Sequence, residues 1–345
     1  MKAAVLYGKE DMRIEEVDTP KISEYEVLIK VKACGVCGTD ARVYHQGIEK
    51  RWKSPIIMGH EIAGQVVKVG EKVNNFNVGD RVTVAPICGC GTCDFCLMGK
   101  ENLCREAIVI GANYDGGFAE YMRIPEPYVR LGGLVKIPDE LSYEDATLAE
   151  PVSCCLHGIL KANIQPGDTV VVIGDGPIGL IHMRLASSLG ASKVIVTGHH
   201  DERLELARKL GADLTLNSKR EDAVKTVLDA TNNKGAERVI VAVGSIRAVE
   251  QGIKMLKDGG SIVVFGQYAE PGSLIQLDPD LFNFSEITVT GSVDATLEEF
   301  YRSVLLLRKL NLRPLITHRF PLESIIEAIK NVWSRKGSKV IIKFE

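Results

Sequence analysis

Residues 170–180, VVVIGDGPIGL, join an apolar strand to the start of a helix through a turn that contains three glycines. In this pattern Gly174 permits a tight turn, Gly176 lets the backbone approach a pyrophosphate, and Gly179 lets the helix pack closely on the strand. A phosphate then lies at the helix N-terminus, where backbone N–H groups have no partner within the helix. The segment therefore predicts a dinucleotide-binding unit.

The region from about residue 166 alternates apolar strands with amphipathic helices. Its strands read DTVVVIG, KVIVTG, RVIVAVG, SIVVFG and ITVTG, and helical segments such as DERLELARKLGA and AVEQGIKMLKDGG separate them. This alternation is typical of a parallel, doubly wound sheet, which binds ligands at the carboxyl ends of its strands. Beside the three glycines, we assign to the cofactor site Pro177, Ile178, Gly198, His199, His200, Arg203, Val243, Gly244, Phe265 and Gly266.

The end of the second strand bears on the choice between NAD and NADP. An acidic residue usually ends this strand and binds the ribose 2′-hydroxyl of NAD. Here the strand ends in Gly198, followed by His199 and His200. This position carries no carboxylate, and a carboxylate would repel a 2′-phosphate. The sequence therefore favours NADP over NAD. Asp201 and Glu202 keep NAD open as an alternative.

The segments on either side of this region predict a second domain. Before it, short strands broken by glycine, such as YEVLIKVKACG, IAGQVVKVG and GDRVTVAP, predict an antiparallel barrel or sandwich. After about residue 295, two helices and the strand KVIIKF form a piece too small to fold alone. We therefore expect an α/β protein with one domain at 1–153 and 296–345 and another at 154–295.

A cysteine-rich segment, CGCGTCDFCLMGKENLC at 88–104, suggests a metal site. Cys90, Cys93, Cys96 and Cys104 have the spacing C-x2-C-x2-C-x7-C, which suits one tetrahedral zinc ion. Disulfides and an iron–sulfur cluster are the alternatives. Cys88 lies outside the spacing, and we do not expect it to be a ligand.

A second possible metal site combines the motifs CGVCGTD and GHE with a later glutamate. Cys37 and His60 are suitable ligands, and Glu61 and Glu150 are candidate carboxylates. Three protein ligands with an open position would make a catalytic zinc. Asp40 is a plausible acceptor for the ring N–H of His60.

Composition and charge exclude several classes of function. The chain has 42 basic and 45 acidic residues and no polybasic stretch, so nucleic acid is not an expected partner. No apolar run reaches the ~18 residues of a membrane span, and the first residues do not resemble a signal peptide. We expect a cytoplasmic protein that acts on a small molecule.

These motifs together carry a family resemblance. The segment GHEIAGQVVKVGEKV looks like the signature G-H-E-x2-G-x5-G-x2-V of the zinc-containing alcohol dehydrogenases, in the medium-chain dehydrogenase/reductase family. CGVCGTD, the cysteine segment, GGFAEY and GDGPIG match that family in order. The resemblance implies a GroES-like β-barrel catalytic domain, an inserted Rossmann domain and a homo-oligomer, either a tetramer or a dimer.

The resemblance also implies roles for individual residues. It places a structural zinc at the four spaced cysteines and a catalytic zinc at Cys37, His60 and Glu150, with Glu61 as an exchanging ligand. It makes Thr39 the hydroxyl that passes on the substrate proton. Glu150, within EPVSCCLHG, resembles the branch that acts on sorbitol and other polyols. The implied activity is NAD(P)-linked oxidation of a polyol or sugar hydroxyl; the alternatives are a threonine-type amino-alcohol dehydrogenase and a catalytically silent structural relative.

The sequence departs from the family at Arg42, where many relatives carry a histidine that completes the proton relay. Arginine stays protonated and cannot be a general base. The proton would then leave through water or His45, or Arg42 would bind a cofactor phosphate or an anionic substrate group, unless it is an ordinary surface arginine. Arg51 and Lys53 would add to an anion site only if their loop folds over the cleft.

Overall fold

The computed structural model describes residues 1–48, 52–266, 272 and 274–345. The chain divides into two compact units, Met1–Ser153 with Asp294–Glu345, and Cys154–Val293. The second unit ends two residues before the boundary expected at 295. The expected fold class is confirmed, since an antiparallel β unit and a parallel α/β unit are both present.

The first unit begins with short strands and helices. Its strands are β1 (Lys2–Gly8), β2 (Asp11–Glu16), β3 (Val27–Val36), β4 (Ile56–Ile57), β5 (Glu61–Val69), β6 (Arg81–Val84), β7 (Ile87–Cys88), β8 (Ile108–Val109), β9 (Tyr121–Ile124) and β10 (Leu134–Lys136). Its helices are α1 (Gly38–Gln46), α2 (Asp94–Leu97), α3 (Glu126–Leu131), α4 (Tyr143–Ala146) and α5 (Ala149–Lys161), with a 3-10 turn at Glu101–Leu103.

The second unit alternates strands and helices. Its strands are β11 (Thr169–Ile173), β12 (Lys193–Gly198), β13 (Leu214–Asn217), β14 (Ala236–Val241), β15 (Leu256–Val264) and β16 (Thr288–Gly291). Its helices are α6 (Pro177–Ser188), α7 (Asp201–Lys209), α8 (Ala223–Ala230), α9 (Ile246–Lys254) and α10 (Asp280–Asn283). The chain then returns to the first unit with α11 (Leu297–Leu310), β17 (Ile316–Phe320), α12 (Ile325–Trp333) and β18 (Lys339–Lys343), and 3-10 turns at Arg313–Leu315 and Leu322–Ser324.

The main sheet of the first unit has the strand order β10-β6-β5-β3-β18-β17, with β9 also paired to β3. β3 is its longest strand and lies antiparallel to β5, β9 and β18. Because Val340 pairs with Val36, the C-terminal segment completes the sheet that the N-terminal segment begins. Apolar side chains of β3 such as Ile29 and Val31 are fully buried.

The sheet of the second unit has the order β13-β12-β11-β14-β15-β16, and every neighbouring pair in it is parallel. Val170, Val171 and Val172 of the central strand β11 are completely buried, which explains the continuous apolar run in the sequence. Among the described residues, no helix combines the length and apolarity needed to cross a membrane.

One predicted helix is shorter than the sequence pattern suggested. We expected helix throughout AVEQGIKMLKDGG, but α9 ends at Lys254 and β15 begins at Leu256. Gly259, which the pattern still placed in the helix, has φ +75° and lies within β15. β13 and α8 were not predicted.

Candidate metal centres and cofactor site

The candidate catalytic residues come together because β3 and β5 are antiparallel. Their register places Gly35 of β3 opposite Glu61 of β5. Cys37 follows β3 and His60 precedes β5, so the two side chains lie at the same edge. The sulfur of Cys37, a ring nitrogen of His60 and a carboxylate oxygen of Glu61 lie within 4.8 Å of one another. These are ligand types that zinc accepts.

Asp40 supports this edge from the first turn of α1. The residue is 1% exposed, and Oδ2 accepts the backbone N–H of Cys37 at 2.8 Å, which caps the helix. Oδ1 lies 3.7 Å from Nδ1 of His60, an ion-pair distance that is too long for the hydrogen bond expected from the sequence. Burial raises the pKa of Asp40. Asp40 therefore acts on His60 through its charge.

The charges around His60 indicate whether the site suits a cation. Burial alone would lower the pKa of His60, but the negative charges of Asp40, Cys37 and Glu150 outweigh burial and raise that pKa well above its ordinary value. In addition, Oε2 of Glu61 is buried without a hydrogen-bond partner among the described residues. Surplus negative charge and an orphaned carboxylate oxygen both favour a bound cation. The donor set fits zinc.

Lys339 is a residue of this site that the sequence did not reveal. It begins β18, and its Nζ donates to Oε1 of Glu61. Lys339 is 5% exposed and Glu61 is completely buried. Burial lowers the pKa of Lys339, but the charges of Glu61 and Cys37 outweigh it and raise the pKa. A lysine that precedes an apolar strand carries no recognisable sequence signal.

Glu150 lies in the first turn of α5 and is 9% exposed. Its charge contributes to the raised pKa values of His60 and Lys339, which places it beside the cluster. It is nevertheless not within the 4.8 Å set, in which Glu61 supplies the carboxylate. Ser303 of α11 donates to the carbonyl of Ala149 at 2.8 Å and fixes the start of α5.

The residues proposed as alternative proton or anion sites lie in different surroundings. Thr39 is partly buried in the first turn of α1, next to the cluster in sequence, and Arg42 is partly buried one turn later. His45 lies in the last turn, where Nδ1 contacts Oε1 of Glu10 at 2.8 Å and the ring packs on Trp333. His45 is therefore already engaged by a carboxylate and an aromatic ring.

The loop before the GHE motif was the other proposed source of positive charge. Lys53 pairs with Asp115, with Nζ and Oδ2 2.5 Å apart, so its charge is already compensated. Arg51 lies outside the described residues.

The four spaced cysteines form a compact cluster around α2 and the following 3-10 turn. The sulfur atoms of Cys93 and Cys96 are 3.6 Å apart, those of Cys93 and Cys104 3.7 Å, and those of Cys90 and Cys96 3.9 Å. Zinc–sulfur bonds of about 2.3 Å in a tetrahedron require sulfur separations of about 3.8 Å. Disulfides would require about 2.0 Å, which none of these pairs shows. Cys88 is buried outside the cluster.

The predicted cofactor residues lie at the carboxyl edge of the parallel sheet. Gly174 has φ +134°, and a Cβ on Gly179 would lie 1.9 Å from the carbonyl oxygen of Gly174, so α6 packs tightly on the loop. A Cβ on Gly266 would lie 2.1 Å from the carbonyl carbon of Val243. Gly176 has open space around it at the start of α6, as the approach of a phosphate requires. This loop fits a dinucleotide.

Asp175, between the first two glycines, was not among the predicted site residues. Its Oδ2 accepts the backbone N–H groups of His199 and His200, each at 2.7 Å. A Cβ on Gly198 would lie 2.4 Å from Cβ of Asp175. The strand ends in Gly198 without an acid, as the sequence indicated, but the structure places the carboxylate of Asp175 beside that end.

A zinc-type donor cluster in one unit and a dinucleotide loop in the other define a zinc-dependent, NAD(P)-linked dehydrogenase. The sequence comparisons agree with this class. Residues 23–139 match the alcohol dehydrogenase GroES-like domain, and residues 177–309 match the zinc-binding dehydrogenase domain. The chain belongs to the zinc-containing alcohol dehydrogenases of the medium-chain dehydrogenase/reductase family.

Its relatives act on different alcohols. Sorbitol dehydrogenase of Bacillus subtilis is 37% identical over 77% of this chain and 75% of its own length. L-threonine 3-dehydrogenase of Pyrococcus abyssi is 38% identical over 99% of this chain and 97% of its own. The crystal structure of a zinc-binding dehydrogenase from Sinorhizobium meliloti bound to NADP superposes with a TM-score of 0.93 at 31% identity, and the match covers 99% of both chains.

Proposed function

We propose that this enzyme interconverts a secondary alcohol of a polyol or sugar derivative with its ketone by hydride transfer to or from NAD(P). The observation that carries the proposal is the cluster of the Cys37 thiol, the His60 imidazole and the Glu61 carboxylate, with the charge of Glu150 acting on the same imidazole. Oxygen ligands leave the zinc harder than thiolates do, which suits chelation by neighbouring hydroxyls. The sorbitol dehydrogenase relative supports this substrate class.

We propose Cys37, His60 and Glu150 as the zinc ligands, with Glu61 as an exchanging ligand. The pairing of Glu61 with Lys339 supports this order, because one of its oxygens is already neutralised by the ammonium group. Glu61 can still offer Oε2, which has no hydrogen-bond partner among the described residues. The cluster of Cys90, Cys93, Cys96 and Cys104 is closed by four sulfurs, and we propose it as a structural zinc site.

When bound, the zinc supplies a Lewis acid for the substrate hydroxyl and the nicotinamide supplies a hydride acceptor. Thr39 is two residues from Cys37 and would relay the proton, passing its own hydroxyl proton on toward solvent as it receives the proton of the substrate hydroxyl. Asp40 caps α1 and so fixes the segment that carries both Cys37 and Thr39. Arg42 stays protonated and takes no part as a base. The buried Lys339 limits the negative charge that the carboxylates place on the site.

A substrate panel with metal analysis tests the proposal. The purified protein should contain two zinc ions per chain and should reduce NAD or NADP, followed at 340 nm, with polyols that contain vicinal hydroxyls. Ethanol turning over with a higher kcat/KM than every polyol would contradict the polyol assignment. Cys37→Ser is the matched inactive control.

A threonine-type dehydrogenase is the second candidate. The observation that favours it is the 38% identity to L-threonine 3-dehydrogenase along 99% of this chain. L-threonine in the same panel separates the two, since a kcat/KM for threonine above that for every polyol would select the amino alcohol. A homo-oligomer, a tetramer or else a dimer, is a further proposal, and light scattering after size-exclusion chromatography measures it.

A further inference from the structure

We propose that Asp175 determines the cofactor choice of this enzyme and makes it prefer NAD over NADP. The proposal rests on the NAD(P)-linked dehydrogenase function and adds the residue that selects between the two dinucleotides. The acid that is missing from the end of β12 is supplied instead by the glycine loop. Its side chain lies against the end of β12, the place where the usual acid binds the adenosine ribose.

The hydrogen bonds of Asp175 support this role. Oδ2 accepts the backbone N–H groups of His199 and His200 at 2.7 Å, and Nδ1 of His200 lies 3.0 Å from the same oxygen. A 2′-phosphate at this turn would need donors of this kind. These donors already bind the carboxylate of Asp175, so the turn already contains a negative charge that belongs to the protein.

The second oxygen of Asp175 is less engaged. Oδ1 lies 3.3 Å from Nδ1 of His200 and 4.0 Å from a guanidinium nitrogen of Arg203. It retains capacity to accept a hydrogen bond from a ribose hydroxyl, as the usual strand-end acid does. The same charge repels a phosphate. Asp175 therefore combines acceptance of the NAD hydroxyl with rejection of the NADP phosphate.

Packing explains why the usual position carries glycine. A Cβ on Gly198 would lie 2.4 Å from Cβ and 2.5 Å from Oδ2 of Asp175. Positions 175 and 198 therefore cannot both bear a side chain unless the backbone moves. Gly198 thus leaves the space that the side chain of Asp175 occupies. The absence of an acid at position 198 therefore does not indicate NADP.

Neighbouring charges leave this preference in place. Asp201, the sequence-based alternative, is directed to Nδ2 of Asn217 at 2.7 Å and to the guanidinium of Arg220. Arg203 is 14% exposed and lies against Asp175 itself. This guanidinium is thus already within ion-pair distance of the carboxylate and is less available for a phosphate.

Binding of adenosine fragments to the zinc-loaded protein tests the proposal apart from chemistry. Calorimetry would measure Kd for 5′-AMP and 2′,5′-ADP, the adenosine halves of NAD and NADP, and the Kd values of both whole dinucleotides. We expect the wild type to bind 5′-AMP at least about tenfold more tightly, which is about 1.4 kcal/mol. Asp175→Ala should shift the ratio by at least tenfold toward 2′,5′-ADP, and Asp175→Asn should shift it in the same direction with less change in shape.

The relocation variant Asp175→Gly with Gly198→Asp, which leaves no Cβ at position 175 to clash with the new side chain, should restore the preference for 5′-AMP. Asp229→Asn, an equal charge loss at the exposed end of α8, should leave the ratio within threefold. That helix end lies by the start of β12, where Lys193 donates to the carbonyl of Ala230. A wild type that prefers 2′,5′-ADP, or an unchanged ratio in both Asp175 variants, overturns the proposal. Failure to bind either dinucleotide would instead contradict the dehydrogenase function.

Discussion

Lys339 and Glu61 form a buried ion pair that joins β18 to β5 across the end of β3. Both residues are almost completely enclosed, with exposures of 5% and 0%. Each ion of a pair that is shielded from solvent depends on the other for compensation, because desolvation costs each ion several kcal/mol. The pair therefore couples the C-terminal strand to the electrostatics of the candidate zinc site.

Replacing Lys339 should destabilise the protein strongly. In Lys339→Met, Glu61 remains buried without its counter-charge, and we expect a loss of about 3–5 kcal/mol in the free energy of unfolding. Urea denaturation of the zinc-loaded protein measures it. Lys343→Met on the same strand removes a lysine that is 63% exposed and should cost less than about 1 kcal/mol. Equal losses in the two variants would show that the buried pair has no special role.

The two metal clusters should respond in opposite ways to loss of one cysteine. Cys93→Ser should lower Tm by more than about 5 °C and remove one zinc per chain, because four thiolates cross-link that segment. Cys37→Ser should also lose one zinc, but should lower kcat by at least about a hundredfold with a smaller change in Tm. Elemental analysis and calorimetry measure both. Cys88→Ser should keep two zinc ions, and one zinc in the wild type, or iron in the cysteine cluster, would contradict the assignment.

His182 should make the stability depend on pH. It is completely buried in α6 with neither ring nitrogen hydrogen-bonded among the described residues, and burial lowers its pKa to about 3. The unfolded chain binds a proton near pH 6.5, whereas the folded chain does not. Stability is therefore complete above pH 6.5 and falls by about 1.4 kcal/mol per pH unit below it, toward pH 3.

Denaturation at pH 7.5 and pH 5 in His182→Leu tests this dependence. Between these two pH values, the free energy of unfolding of the variant should fall by about 1–2 kcal/mol less than that of the wild type. His318→Leu removes a partly exposed histidine and should show the same pH dependence of stability as the wild type. If His182→Leu keeps the full pH dependence, the loss originates in other groups.

Glu150 should set the preference for polyols. Glu150→Cys puts a thiolate in place of the proposed third ligand and makes the zinc a softer ion. We expect the ratio of kcat/KM for a vicinal polyol to that for ethanol to fall by at least tenfold. Glu61→Gln alters a carboxylate of the same cluster and should change this ratio less than Glu150→Cys does. The reverse order would make Glu61 the permanent ligand.

The sequence predicted the features that depend on local spacing. The four cysteines within 88–104, the glycine loop and the strand–helix alternation are each encoded by neighbouring residues, and the structure contains the corresponding cluster, turn and parallel sheet. The family signature at 59–73 added the GroES-like class, which the comparison with known domains confirmed.

Features that depend on contacts between distant segments were missed. Lys339 joins the metal cluster only because β18 pairs with β3, and no spacing rule connects it to Glu61. Asp175 was overlooked for a related reason: its role arises from the packing of one loop against Gly198, 23 residues later. The sequence shows that β12 ends without an acid, but only the structure shows what fills that space.

The pairing of β18 with β3 also has a consequence for the order of folding during synthesis. Glu61 and Lys339 are 278 residues apart in the chain, and the whole of Cys154–Val293 is synthesised between them. Closing so long a loop is entropically costly and slow, whereas the inserted parallel unit can fold as its own segment leaves the ribosome. We expect the nascent chain to contain a folded nucleotide-binding unit while the catalytic metal site is still incomplete. Zinc acquired at the cysteine segment would then precede zinc acquired at Cys37.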